Sequence, residues 1–229
     1  MGTIRSESPI LSPVCSESIV ASNVGVPDLD RDITMKLLHL DASSLGQHSV
    51  SRGLTAAIVA QLAQELPSLE ITYRDLNASP LPHWTPAVLD AQSDAAKLAQ
   101  VVLDEFLAAD VIVIGAPMYN FSIPSQLKAW IDRIVVAGKT FRYSANGPEG
   151  LAGGRKVIVA STRGGFYGED SGRAEFDFQE DYLRHVFNFI GIRDIELVRA
   201  EGLGIGPEQR AKAVNEAHAE IDARLPAAA

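Results

Sequence analysis

Three short segments hold the residue types that could do chemistry. The first is Ala42-Ser43-Ser44-Leu45-Gly46-Gln47-His48-Ser49-Val50-Ser51-Arg52, where Ser43, Ser49 and Ser51 stand just ahead of an apolar helical pattern. Free N–H groups and the dipole at a helix N-terminus favour an anion, so hydroxyls gathered there read as a phosphate cradle. A serine-rich turn with Ser49 as N-cap accounts for the same residues. The second segment is Gly115-Ala116-Pro117-Met118-Tyr119-Asn120-Phe121-Ser122-Ile123-Pro124. It is dense in aromatic, amide and hydroxyl groups, and proline stiffens it on both sides. Tyr119, Phe121 and the Met118 backbone could wall a flat ligand while Asn120 bonds its polar edge. The third is Ser161-Thr162-Arg163-Gly164-Gly165-Phe166-Tyr167. Gly164-Gly165 permits close backbone approach and could aim N–H groups at carbonyl oxygens of the same ligand, or could be a flexible turn.

Missing motifs narrow the chemistry. There is no complete G-x-x-x-x-G-K-[ST], since Gly138-Lys139-Thr140 has Arg133 where the first glycine would stand, and no G-x-G-x-x-G, so neither a nucleoside triphosphate nor a dinucleotide is held in the usual loop manner. A phosphomonoester gripped by hydroxyls and amides fits better. The loop after the first strand lacks a cysteine, which argues against thiol-phosphatase chemistry. His39 falls in a buried strand pattern and reads as core. His83, His185 and His218 read as surface residues, and His48 flanks the serine loop. No spacing of histidines, acids and Cys15 predicts a metal site.

The elements that must position these loops alternate strand and helix. Strand patterns are expected at Met35–Asp41, Glu70–Asp75, Val111–Gly115, Lys156–Ser161 and Ile195–Ala200. Helical periodicity predicts helices over about Val50–Glu65, up to Ala108, Ser125–Val136, Glu175–Ile190 and Pro207–Arg224. Leu127, Trp130, Ile131 and Ile134 form a core stripe on the third helix. Strands 1, 3 and 4 are near-continuous apolar runs, as strands buried on both faces should be, whereas strand 2 alternates as an edge does. Five βα units of this kind predict an α/β, flavodoxin-like three-layer sandwich with a five-stranded parallel sheet of order 2-1-3-4-5. All three loops then fall at the carboxyl ends of strands, where such folds bind ligands.

The stretch Ala137–Gly154 reads as irregular and glycine-rich. Within it, Phe141–Gly150 is long enough to be expected as a lid. Residues 1–34 are rich in serine and proline, lack aromatics, and are expected to form a disordered extension ahead of a folded domain at 35–226. Of 229 residues, 46% are hydrophobic and 21% charged, which suits a globular protein with a sizeable core. The net charge of −9 argues against nucleic acid or an anionic membrane as partner. With one cysteine and no apolar run of membrane-spanning length, a cytoplasmic protein is expected.

Taken together, Ser43 with Ser49-Val50-Ser51, Pro117-Met118-Tyr119-Asn120-Phe121, and Ser161-Thr162-Arg163-Gly164-Gly165 resemble the FMN-binding loops of the FMN-dependent NADH:quinone oxidoreductase/azoreductase family. The resemblance spans about Met35 to Arg224. It implies that Ser43, Ser49, Val50 and Ser51 contact the phosphate and ribityl chain of FMN. Pro117, Met118, Tyr119, Asn120 and Phe121 would line one side of the isoalloxazine, and Ser161, Thr162, Arg163, Gly164 and Gly165 its pyrimidine end. It further implies a homodimer with active sites at the subunit interface and NADH as electron donor. Quinones and azo compounds would be the acceptors, in ping-pong turnover. No side chain need act as acid, base or nucleophile, because the chemistry lies at flavin N5. The Phe141–Gly150 loop would cover the flavin, in its own subunit or across the dimer. A flavodoxin-like electron carrier and an FMN reductase that releases reduced flavin remain as alternative readings.

Overall fold

Successive side chains of a strand point to opposite faces, and in the central strands of this chain both faces are apolar. Leu37, Val111, Val113, Ile158 and Ala160 point one way. Leu38, Leu40, Ile112, Ile114, Val157 and Val159 point the other. Such strands are stable only when helices cover both faces. The computed structural model describes residues 34–224 and has that arrangement.

Among the described residues there are seven strands: β1 (Lys36–Asp41), β2 (Glu70–Asp75), β3 (Val111–Pro117), β4 (Phe141–Ser144), β5 (Gly147–Gly150), β6 (Lys156–Thr162) and β7 (Asp194–Ala200). Five of them form a sheet of order β2-β1-β3-β6-β7, and every pairing in it is parallel. The strands expected from the sequence are these five in the expected order. A hairpin, β4-β5, precedes the last two and shifts their numbers. The helices are α1 (Val50–Glu65), α2 (Asp94–Ala108), α3 (Ser125–Ile134), α4 (Glu180–Phe189) and α5 (Pro207–Arg224). On one face, Leu54, Ile58 and Leu62 of α1 and Ala213, Ala217 and Ile221 of α5 close the core. On the other, Phe106 of α2, Trp130 of α3 and Phe187 of α4 do so, and the stripe Leu127, Trp130, Ile131 and Ile134 is buried as expected.

β2 is an edge strand, and Ile71 and Tyr73 remain largely exposed. The chain leaves β1 outward to β2 and then returns to β3 on β1's other side. This reversal opens the crevice between the carboxyl ends of β1 and β3.

Two expectations need correction. The stretch Ala137–Gly154 is not irregular, because Phe141–Ser144 and Gly147–Gly150 pair antiparallel across a tight turn at Ala145-Asn146. Its base is anchored by Phe141 against Phe189, with ring centroids 4.7 Å apart. Gly150 also lies so close to Gly191 that a Cβ on it would sit 2.2 Å from the Gly191 nitrogen. The helix expected from Glu175 starts only at Glu180; ahead of it are two single 3-10 turns, Glu169–Ser171 and Ala174–Phe176. Asp177 Oδ1 accepts from the amides of Gln179 and Glu180 at 3.1 and 3.0 Å, and this capping sets the later start. Apart from Thr34, the expected extension over 1–34 lies outside the described residues, as does Cys15. Among the described residues no helix is long and apolar enough to cross a membrane.

Candidate functional site

The three loops meet at the β1–β3 crevice. The first continues β1 through a 3-10 turn at Gly46–His48 into the N-terminus of α1. Ser43, Ser49 and Ser51 are all buried there. Ser49 Oγ accepts from Arg52 N at 3.3 Å as the helix N-cap and lies 3.0 Å from Ser51 Oγ. Both readings of this loop are therefore compatible in one geometry: Ser49 caps the helix while its hydroxyl faces a second one. Arg52 does not point a free charge at this end. Its guanidinium holds Asp75 at 2.7 and 2.8 Å and donates to the Ser43 carbonyl at 3.0 Å, which fixes the loop from beneath. Hydrogen bonds from Arg52 pull the Asp75 carboxyl down to about 2. The hydroxyls and amides at the N-terminus of α1 are thus what the loop offers an anion.

His39 is buried, as expected, with its ring 4.8 Å from that of Tyr73. Asp41, at the end of β1, is nearly inaccessible. Burial would raise its pKa, but the His39 ring 3.6 Å away and hydrogen bonds from Thr55 and Tyr73 hold it below the ordinary value. His48 is exposed, and its carbonyl accepts from Arg210 at 3.2 Å.

The second loop contains the sharpest turn in the site. Tyr119 N donates to Ser122 O at 2.9 Å, and Ser122 N donates back to Tyr119 O at 3.1 Å. The two residues between have positive φ, +49° at Asn120 and +71° at Phe121, which makes a type I′ turn. Asparagine tolerates this conformation, whereas phenylalanine adopts it only under constraint. The turn throws the Phe121 ring outward, where it is 46% exposed and rests near Tyr167 and Phe176. Tyr119 turns the other way: its hydroxyl lies 3.0 Å from Ser44 Oγ and accepts from Ser44 N at 3.1 Å. Burial would raise the Tyr119 phenol, but hydrogen bonds from Ser43 and Ser44 draw it below its ordinary value. Met118 N donates to Thr162 O at 2.7 Å, so the second loop is tied to both of the others.

The third loop leaves β6 and is braced from β7. The carbonyls of Arg163, Gly164 and Gly165 accept from Leu203 N, Gly204 N and Gly202 N at 3.1, 3.0 and 2.9 Å. The amides of Gly164 and Gly165 have no acceptor among the described residues, and a Cβ on Gly164 would meet nothing within 4 Å. Two unpaired N–H groups on adjacent residues are suited to a carbonyl oxygen or a negative charge. Ser161 and Thr162 are buried at the end of β6.

The Arg163 side chain is turned away from this edge. It is fully buried and pairs with Asp177 at 2.9 Å, Glu201 at 3.2 Å and Glu180. Glu180 also receives Arg199 at 2.8 Å. Burial would raise the Glu180 carboxyl, but the two guanidiniums lower it. Only the main chain of Arg163 borders the loop.

The structure therefore brings all the expected segments together and adds residues that sequence reasoning missed. Tyr167 was in plain view two positions after Gly165; its ring packs over Gly165, where a Cβ would lie 3.2 Å from Tyr167 Cε2. Gln179 is fully buried under the site, donates to Ala116 O at 2.5 Å and lies 3.4 Å from Ser161 Oγ. Neither Gln179 nor Glu201 stands in a local pattern that could have marked it.

A doubly wound parallel sheet with this strand order and a crevice lined at its β1–β3 switch defines a flavodoxin-like α/β protein, and a family profile described as flavodoxin-like fold matches residues 35–225. An FMN-dependent NADH:quinone oxidoreductase of Xanthomonas oryzae pv. oryzae is 59% identical over 196 residues, covering 85% of this chain and 98% of that one. A protein of the same name from Rhizobium meliloti is 57% identical over 197 residues, covering 82% and 95%. On these grounds the chain belongs to the FMN-dependent NADH:quinone oxidoreductase family of enzymes. Among solved structures, an azoreductase from Bacillus anthracis superposes with a TM-score of 0.76 at 28% identity, covering 83% and 98%. An FMN-dependent NADH-azoreductase of the same species, in complex with FMN, gives 0.74 at 26%, covering 83% and 97%.

Proposed function

We propose that this chain binds FMN across the three loops and passes electrons from NADH to quinones, and to azo compounds that it cleaves reductively. The observation that carries the reading is the pair of unpaired amides at Gly164 and Gly165, set opposite a cradle of buried serine hydroxyls at the N-terminus of α1. The two ends match the two polar ends of FMN. Ser43, Ser49, Val50 and Ser51 would hold its phosphate and ribityl chain. Pro117, Met118, Tyr119, Asn120 and Phe121 would flank the ring, and the main chain of Ser161–Gly165 would meet its pyrimidine edge. When bound, FMN supplies the redox chemistry, at N5, and the protein orients it and tunes its surroundings. The unpaired amides favour negative charge at the edge they face.

Exposed Phe121, Phe176 and Phe178 beside the crevice offer flat apolar surface on which a nicotinamide and then an acceptor could stack in turn, which supports ping-pong use of one face. NADPH is the alternative donor in this reading. We further propose a homodimer with the site at its interface and the Phe141–Gly150 hairpin closing over it. The hairpin's base lies at the amino ends of β6 and β7, away from the crevice of its own subunit, so its exposed Tyr143 would reach a site across the dimer. An apolar groove of about 800 Å³, lined in part by Trp84, Leu89 and Val135, supports association.

Anaerobic mixing of FMN-loaded protein with NADH tests the reading. Loss of the visible flavin absorbance, restored by a benzoquinone or an azo dye, is the expected result. No bleaching would indicate a carrier and overturn the proposal. Release of FMN on gel filtration after reduction would indicate a flavin reductase instead.

A further inference from the structure

We infer that Glu201, just beyond β7, is a positioning residue for the Gly164–Gly165 edge, and that its charge sets how far that edge favours a negative ring over a neutral one. The inference rests on the FMN reading above. A single carboxylate oxygen, Glu201 Oε1, holds both ends of the loop. It accepts from Tyr167 N at 2.8 Å and pairs with Arg163 Nη1 at 3.2 Å. Between those two residues lie only Gly164, Gly165 and Phe166. Glycine supplies no side chain to stiffen such a loop, so its course depends on its anchors. Three carbonyl anchors come from Gly202–Gly204, which follow Glu201 directly in the chain. Glu201 thus belongs to a brace that fixes the loop from outside and leaves its two amides without a partner among the described residues.

The clamp reaches further than the loop. Tyr167, whose amide Glu201 holds, lays its ring over Gly165 and stands edge-on to Phe121 at 6.1 Å and 84°. The position of one carboxylate is therefore felt on the pyrimidine edge and on the aromatic wall of the second loop.

Charge gives the clamp a second consequence. Arg163 and Arg199 are matched against Asp177, Glu180 and Glu201, so the cluster holds one more carboxylate than guanidinium. Of the three acids, Glu201 is the one that also holds the amide of Tyr167 in the loop. The unpaired amides draw negative charge toward the edge, and Glu201 opposes that draw through a partly buried medium in which charges are poorly screened. The two effects act on reduced FMN much more than on oxidised FMN, because only the reduced ring carries substantial negative charge.

The test compares Glu201→Gln and Glu201→Ala with the wild-type holoenzyme, by FMN fluorescence quenching and by anaerobic redox titration of the bound flavin. Glu201→Gln keeps an oxygen acceptor for both donors but removes the charge. Its affinity for oxidised FMN should stay within about three-fold, while its preference for reduced over oxidised FMN should rise about five-fold, read as an upward shift in midpoint potential. Glu201→Ala removes the clamp, and its dissociation constant for oxidised FMN should rise about ten-fold. If Glu201→Ala fails to fold, with Arg163 left buried beside fewer acids, the potential of Glu201→Gln decides alone. A wild-type potential in Glu201→Gln would overturn the inference, even if stability fell, because a purely structural residue moves stability and not potential. Unchanged FMN affinity in a folded Glu201→Ala would overturn it too. Failure of the wild-type protein to bind FMN would instead overturn the functional reading beneath it.

Discussion

Phe121 can be used to measure the constraint on the second loop. At an ordinary position, replacing alanine by glycine costs about 0.5–1 kcal/mol, because glycine has more freedom to lose on folding. At Phe121 the order should invert. Its φ of +71° is imposed by the paired hydrogen bonds between Tyr119 and Ser122, at 2.9 and 3.1 Å. A residue with a Cβ carries about 1–2 kcal/mol of steric cost in that conformation, and glycine does not. Subtracting the glycine entropy leaves Phe121→Gly ahead of Phe121→Ala by about 0.5–1 kcal/mol. Both variants lose the same ring and the same contacts with Tyr167 and Phe176, so their difference isolates the backbone. Urea denaturation of the two variants under identical conditions reads that difference from the midpoints, provided the slopes agree. An alanine variant as stable as the glycine variant, or more so, would show that the turn relaxes freely and that no constraint is held there. FMN binding should fall in both variants, since both remove the outward ring.

Other perturbations probe the surroundings of the site. Gly115→Ala places a methyl 2.8 Å from Asp41 Oδ1 and 3.3 Å from Thr55 Cγ2; with Asp41 buried, thermal unfolding should show a loss of about 1–3 kcal/mol. Ser49→Ala removes the N-cap of α1 and should cost about 1 kcal/mol in urea, whereas Ser51→Ala should leave stability nearer wild type and weaken FMN binding in a fluorescence titration. Asp75 is held at about 2 in the folded state by Arg52, below its ordinary 3.8. The stability it contributes is present above the unfolded value and is lost as pH falls through the folded one. Asp75→Asn should therefore lower the urea midpoint at neutral pH and flatten its decline between about pH 4 and pH 2; an equally steep decline would refute the assignment.

The strands and their order were legible because burial on both faces writes itself as unbroken runs such as Val111-Ile112-Val113-Ile114. The three loops were legible because they carry unusual residues at the ends of those runs. The hairpin was harder to see, since Phe141-Arg142-Tyr143-Ser144 and Gly147-Pro148-Glu149-Gly150 are four residues each and the second has two glycines and a proline. Only Asn146-Gly147 marked a turn there. Arg163 shows a different kind of limit. The family resemblance set it among the residues lining the pyrimidine end, but its side chain is claimed by Asp177, Glu180 and Glu201 from 14 to 38 positions away. Partners at that separation leave no local pattern. The left-handed turn at Asn120-Phe121 was also hidden, because phenylalanine is not a residue that announces positive φ.

The approach of Gly150 to Gly191 divides the β4-β5 hairpin into parts that evolution can treat differently. At the root, main chain lies on main chain: either glycine would have to move its neighbour to accept a Cβ, and Gly191 also holds a φ of +98°. Nothing larger fits, so the exit angle of the hairpin is set by backbone alone. From Tyr143 to Glu149 the side chains are largely exposed, and the Arg142–Glu149 pair lies on the surface. Substitutions in that stretch cost the fold little. Related chains could therefore diversify the tip freely while keeping its direction, and a designer could graft a different tip onto the same root.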